Sequence, residues 1–94
     1  MPTITKEHVE SKVDEILSKP YILTLWNDEI NSFDHVIECL MKICFHTFEQ
    51  ANQSSLIVHH NGKCDVKYGS MEELNIMREK LQNESLTVTI EPNF

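Results

Sequence analysis

LWNDEINSFDHVIECL, residues 25–40, changes character twice within a few positions. The β-prone run YILTLW (residues 21–26) stops at Asn27-Asp28-Glu29, and a helical pattern begins shortly afterwards. Phe33, Val36, Ile37, Leu40 and Cys44 fall at i, i+3, i+4, i+7 and i+11, one face of a helix near residues 33–45. A strand, a polar lip and an amphipathic helix thus follow in direct succession. The lip has two readings. Asn-Asp suits a turn through its backbone preferences alone. An amide beside two carboxylates also makes a holder for positive charge.

Working outward, Asn31 or Ser32 caps this first helix. Thr47 followed by Gln50 is a capping box for a second, which runs to His60 and stops at Asn61-Gly62, where glycine accepts the left-handed cap. KCDVKY alternates Cys64, Val66 and Tyr68 against Lys63, Asp65 and Lys67, the pattern of a half-buried strand. Ser70 with Glu73 caps a third helix carrying Met71, Leu74, Met77 and Leu81. LTVTI closes the chain as a strand with Leu86, Val88 and Ile90 inward. In the first strand Tyr21, Leu23 and Leu25 take the inward places. The order β-α-α-β-α-β predicts an α+β fold, three strands covered by three helices on one face. Before it, KEHVESKVDEIL spaces Val9, Val13, Ile16 and Leu17 as a weak helix that Pro20 ends. Residues 1–20 therefore read as an N-terminal arm and residues 21–94 as the core of a single domain.

The 94 residues support one modest core and no deep cleft between domains. An apolar share of 40% and a charged share of 24% are those of an ordinary soluble globule. No apolar run approaches the length of a membrane span, and the N-terminus has no secretion signal, so the cytoplasm is the expected compartment. The three cysteines, Cys39, Cys44 and Cys64, suit reduced thiols there. Fifteen acids against eight bases, a formal charge of −7, argue against nucleic acid, whose phosphates demand Lys and Arg. A cationic group or a basic patch on a larger protein fits better.

Catalytic and metal chemistry find little support. Cys39 and Cys44 point apart on a helix, His59 and His60 are neighbours that do not converge, and C-x-x-C and H-x₃-H are absent. No metal and no cofactor are expected. Ser55 and His59 form an i, i+4 pair, but a helical serine usually bonds its own backbone, and no G-x-S-x-G elbow accompanies them. An enzyme is not expected. Asp34 sits where a first-turn carboxylate interacts favourably with the helix N-terminus.

The ordered set of motifs resembles the ClpS family, adaptors that deliver N-end-rule substrates to a Clp AAA+ unfoldase. Its pattern is a strand ending N-D-[DE], a helix opening on hydrophobic residues, and a second helix ending V-H-x-x-G-K. Here these are Asn27-Asp28-Glu29, Phe33 to Leu40, and Val58-His59 with Gly62-Lys63. The likeness runs over about residues 20–91. It implies three antiparallel strands with three helices, as in the C-terminal domain of the ribosomal stalk protein.

By the same resemblance, Asn27, Asp28 and His59 hold the α-amino group of a substrate's first residue. The pocket beneath is implied to be lined by Asn31, Phe33, Val36, Leu40, Ser55, Val58 and Leu86. An ammonium has three donors; an amide oxygen, a carboxylate and a neutral imidazole nitrogen are three acceptors. Charge-assisted bonds contribute about 1.5–3 kcal/mol each, and a buried apolar side chain about as much again. Micromolar binding needs about 8 kcal/mol, so a free amine and a bulky first residue are required together.

The implied partners are proteins with N-terminal Leu, Phe, Tyr or Trp and a ClpA- or ClpC-like unfoldase with ClpP. The chain itself is expected to be a monomer. The alternative is an unfoldase modulator that has lost substrate recognition. Phe33 and Ser55 stand where many relatives carry Met, and Asn31 replaces the usual Thr. The third helix lacks the family's TAE…AETK run, so docking residues are not carried over.

Overall fold

Each helix among the described residues begins at a capping side chain. In the computed structural model, which describes residues 19–94, Ser32 Oγ accepts from the His35 amide at 3.2 Å. Thr47 and Gln50 exchange bonds of 3.1 and 2.9 Å, and Ser70 and Glu73 bonds of 3.2 and 3.4 Å. Helices α1 (Phe33–Ile43), α2 (Phe48–Asn61) and α3 (Met71–Asn83) start directly after these caps. Strands β1 (Tyr21–Trp26), β2 (Lys63–Gly69) and β3 (Thr87–Pro92) complete the order β-α-α-β-α-β.

The helix ends are less uniform. Gly62 closes α2 at φ +91°, the left-handed place that glycine fills without strain. The first helix stops at Ile43, two residues short of its sequence pattern. Phe45 takes φ +59° there, and the amides of Cys44 and His46 both bond the Leu40 carbonyl, at 3.1 and 3.2 Å. Ser85, at φ +68°, does the same after α3, with Leu86 N bonding Leu81 O at 3.0 Å. Neither position has the glycine that would announce such a closure in the sequence.

The sheet order is β2-β1-β3, antiparallel throughout, so β1 has a partner on each side. Leu23 and Leu25 face the helices at 0% and 1% exposure. Tyr21, expected inward with them, packs half-buried at the margin of the core. Register slips once: Leu23 pairs with Lys67 but Thr24 with Asp65, leaving Val66 as an extra residue in β2. The α2 helix packs on α1 and β2, and α3 on β1 and β3. Leu40, Cys44, Leu74 and Leu81 are fully buried between them.

The boundary drawn at residue 20 lies at the margin of the described residues, and the weak helix over Val9–Leu17 lies outside them. Asn93 closes the sheet onto this margin, its amide bonding Pro20 O and its side chain Lys19 O, each at 2.9 Å.

All three cysteines are free. Burial pushes the Cys44 thiol up to about 11, against a smaller opposing pull from Lys67. An unfolded chain ionises the same thiol near about 8.5. The folded state therefore holds this proton more tightly. Its contribution to stability is whole below about pH 8.5 and is lost as pH rises towards 11, about 3–3.5 kcal/mol in all. Urea unfolding at pH 8 and pH 10.5 should show this loss in the wild type and a smaller one in Cys44→Ala. Equal losses in both proteins would assign the alkaline weakening to other groups.

Candidate functional site

Because β1 is paired on both sides, its last residue is held between Lys63 and Thr87, and the chain leaves the sheet at a fixed point. The next amide, Asn27 N, bonds the Gly62 carbonyl at 2.8 Å, which pins the lip to the end of α2. Asp28 then turns its carboxylate back on its own loop. Its Oδ1 accepts from Ile30 N and Asn31 N, both at 3.2 Å. The Asn31 side-chain amide donates to both carboxylate oxygens, at 2.9 and 3.0 Å, and to the Ser85 carbonyl at 2.8 Å. Thr87 Oγ1 donates to Oδ2 at 3.3 Å.

The turn reading of Asn-Asp is thus realised, and it is compatible with the charge reading. The same bonds that make the turn hold the carboxylate in place. Ser32, not Asn31, supplies the cap of α1; Asn31 instead braces Asp28 against the segment before β3.

Beneath the lip lies a cavity of about 380 Å³. Asn27, Asp28 and His59 all stand on its lining, together with Asn31. The apolar part of the wall includes Phe33 and Val36 from α1, Val58 from α2, and Leu86. Ser55 also lines it and is 4% exposed. One expected wall residue does not belong: Leu40 is fully buried and contributes to the core instead. It lies one helical turn beyond Val36, in the cluster of buried residues. Leu25, Trp26, Glu29 and Ser32 line the cavity unforeseen. They adjoin the lip in the sequence, and that adjacency was the available signal.

The Phe33 and His59 rings meet edge to face, with centroids 5.2 Å apart and planes at 60°. Such pairs contribute about 0.5–1.5 kcal/mol beyond burial, so Phe33 also orients the imidazole. Ser55 Oγ donates to the Ala51 carbonyl at 2.8 Å, the backbone bond expected of a helical serine. Elsewhere His35 and Cys39, an i, i+4 pair, bring their ligand atoms together with that of Glu84. The sequence hides this because Glu84 arrives from the far end of α3.

The family profile described as "ATP-dependent Clp protease adaptor protein ClpS" matches residues 16–89. The chain belongs to the ClpS family. An adapter protein ClpS of Nostoc sp. is 32% identical over 88 residues, 93% of this chain and 90% of that protein. That of Campylobacter jejuni is 46% identical over 48 residues, 49% of this chain. This match spans half the length of the Campylobacter protein. Among solved structures, Agrobacterium tumefaciens ClpS2 bound to L-phenylalaninamide superposes with a TM-score of 0.73 at 20% identity. The superposition covers 80% of this chain and 98% of that one, and it shows the fold to be shared.

Asn31→Ala should release both the Asp28 carboxylate and the Ser85 carbonyl. A hydrogen bond contributes about 1 kcal/mol, so losing both partners should lower stability by about 1–2 kcal/mol. Chemical denaturation measures this directly. A change below about 0.5 kcal/mol, within the scatter of ordinary surface substitutions, would show that solvent replaces the amide without loss.

Proposed function

We propose that this protein is a non-enzymatic adaptor that binds chains with a free α-amino group and a bulky hydrophobic first residue. It then hands them to a Clp AAA+ unfoldase of the ClpA or ClpC type, working with ClpP in the cytoplasm. The observation that carries this reading is the pairing of a fixed polar rim with an apolar cavity. Asn27, Asp28 and His59 are polar residues of the lining, and Val36, Val58 and Leu86 are apolar ones.

Three acceptors suit the three donors of an ammonium, and the Asp28 carboxylate supplies the opposite charge. The turn bonds that Asp28 already accepts are an advantage here. A carboxylate whose position is fixed before binding loses little entropy when the ammonium arrives. The volume of about 380 Å³ is at the lower end of ligand pockets and admits one large side chain. ClpS2, the structural neighbour, was solved with L-phenylalaninamide, an aromatic residue with a free amine. In this reading residues 1–20 are the arm presented to the unfoldase during hand-over, while residues 21–94 form the recognition core.

The direct test uses a labelled peptide beginning with Phe or Leu and its N-acetylated twin. The free amine should bind at least about thirtyfold more tightly, since acetylation removes the charge and leaves the rim acceptors short of donors. Asp28→Asn keeps the size of the side chain and one acceptor for the Ile30 and Asn31 amides, and removes the charge and the second acceptor oxygen. It should weaken the free-amine peptide by about 1.5–3 kcal/mol and leave the acetylated one unchanged. Equal, weak binding of both peptides to the wild type would instead favour a modulator that acts on the unfoldase alone.

Phe33 is the candidate gate. It is 42% exposed at the mouth, its ring is stiff, and it touches His59. A β-branched first residue is widest at the carbon that must pass this ring. Phe33→Ala should therefore raise the affinity for Ile and Val relative to Leu, and weaken Phe peptides by about 0.5–1.5 kcal/mol. An Ile-to-Leu affinity ratio unchanged by the substitution would move the gate to another residue.

A further inference from the structure

We propose that His35, Cys39 and Glu84 form a zinc-type metal site joining α1 to the end of α3. The three side chains each bring one ligand atom, and these atoms lie within 4.8 Å of one another. The Cys39 Sγ to His35 Nε2 distance is 3.7 Å. In a tetrahedral zinc site, bonds of about 2.3 Å to sulfur and 2.0–2.1 Å to nitrogen place those two atoms about 3.6 Å apart. The spacing is thus already that of two ligands on one ion. Helical periodicity produces it: residues four apart stand one above the other, so His35 and Cys39 project from one face of α1.

The ligand types narrow the metal. Thiolate, imidazole and a single carboxylate suit zinc and its neighbours, whereas calcium and magnesium take oxygen ligands. Three protein ligands leave a fourth position for water. Glu38, in the same groove, is already paired with Lys42 at 2.7 Å, so Glu84 is the carboxylate left to coordinate.

His35 Nε2 now lies 2.8 Å from the Glu84 carbonyl and bridges the same two helices through a hydrogen bond. Metal binding exchanges that bond for coordinate bonds between the same places. The Nε2 proton passes to Nδ1 through solvent, and the Cys39 thiol gives its proton to buffer. One proton is released for each divalent ion bound at neutral pH.

The site shares a segment with the cavity but none of its lining. Ser85 holds the Asn31 amide and Leu86 lines the cavity wall, directly after Glu84 in the chain. An ion at Glu84 would therefore brace the same short segment that supports the lip.

The test is a titration of the reduced, full-length protein with cobalt(II), followed by displacement with zinc. The expected result is one ion per chain, a sulfur-to-cobalt charge-transfer band in the near ultraviolet, visible bands of tetrahedral intensity, and a raised thermal midpoint with zinc. Cys39→Ser should remove the charge-transfer band. Glu84→Gln alters an exposed side chain and should not disturb folding; it should keep the band yet weaken zinc more than about tenfold, since even groups behind a ligand are worth about 10–100-fold. Absence of a thiolate band in the wild type would overturn the proposal. So would a band that survives Cys39→Ser and vanishes in Cys64→Ser, or zinc affinity unchanged in Glu84→Gln.

Discussion

Asp28 accepts hydrogen bonds from two amides of its own loop, from the Asn31 side chain and from the Thr87 hydroxyl. One carboxylate therefore gathers the end of β1, the approach to α1 and the first residue of β3. The loop between β1 and α1 has little apolar material to hold it, with Ile30 83% exposed. Its shape depends on these polar bonds. A loop fixed by hydrogen bonds to a charge keeps that charge aimed, which a loop fixed by packing alone would not ensure. The position of β1 completes the constraint. A strand paired on both sides cannot shift along its axis, so Asn27 and Asp28 emerge at a defined height above the sheet.

Much of this was legible because the signals are local. Thr47 with Gln50 and Ser70 with Glu73 name their helices through bonds spanning three residues, and Gly62 names the end of one through its own φ. Where a long-range partner decides, the sequence was silent. Leu40 has the periodicity of the cavity-facing residues, yet it is fully buried in the core, a place that depends on the packing of other elements against α1. Asn31 looked like a cap or a pocket residue, and its amide reaches Ser85, 54 positions away. The early stop of α1 at Ile43 and the extra residue Val66 in β2 carry no glycine or proline to announce them. The pairing of His35 and Cys39 follows from helical spacing, but its carboxylate comes from the residue that follows α3.

A chain of this size has few residues to spare for purposes other than its core. Here the same side chains serve both. Val58 and Leu86 are 6% and 4% exposed, members of the buried cluster and of the cavity wall alike. Ser55 adds a hydroxyl to that wall, and its bond to the Ala51 carbonyl satisfies the donor within the helix. A buried hydroxyl so satisfied costs little, which is why a small polar residue is tolerated where a larger apolar one would fill the space.

Walls shared between core and cavity have a thermodynamic corollary. The cavity is a gap in the packing of the native state and does not exist in the unfolded chain, so whatever fills it binds one state only. By mass action an occupant at a hundred times its dissociation constant shifts the unfolding equilibrium by about 2.7 kcal/mol, a sizeable fraction of the total stability of a small domain. Occupancy and resistance to unfolding are then two measures of one quantity. A filled copy opens less often than an empty one, and any process that selects by ease of unfolding distinguishes the two without touching the occupant.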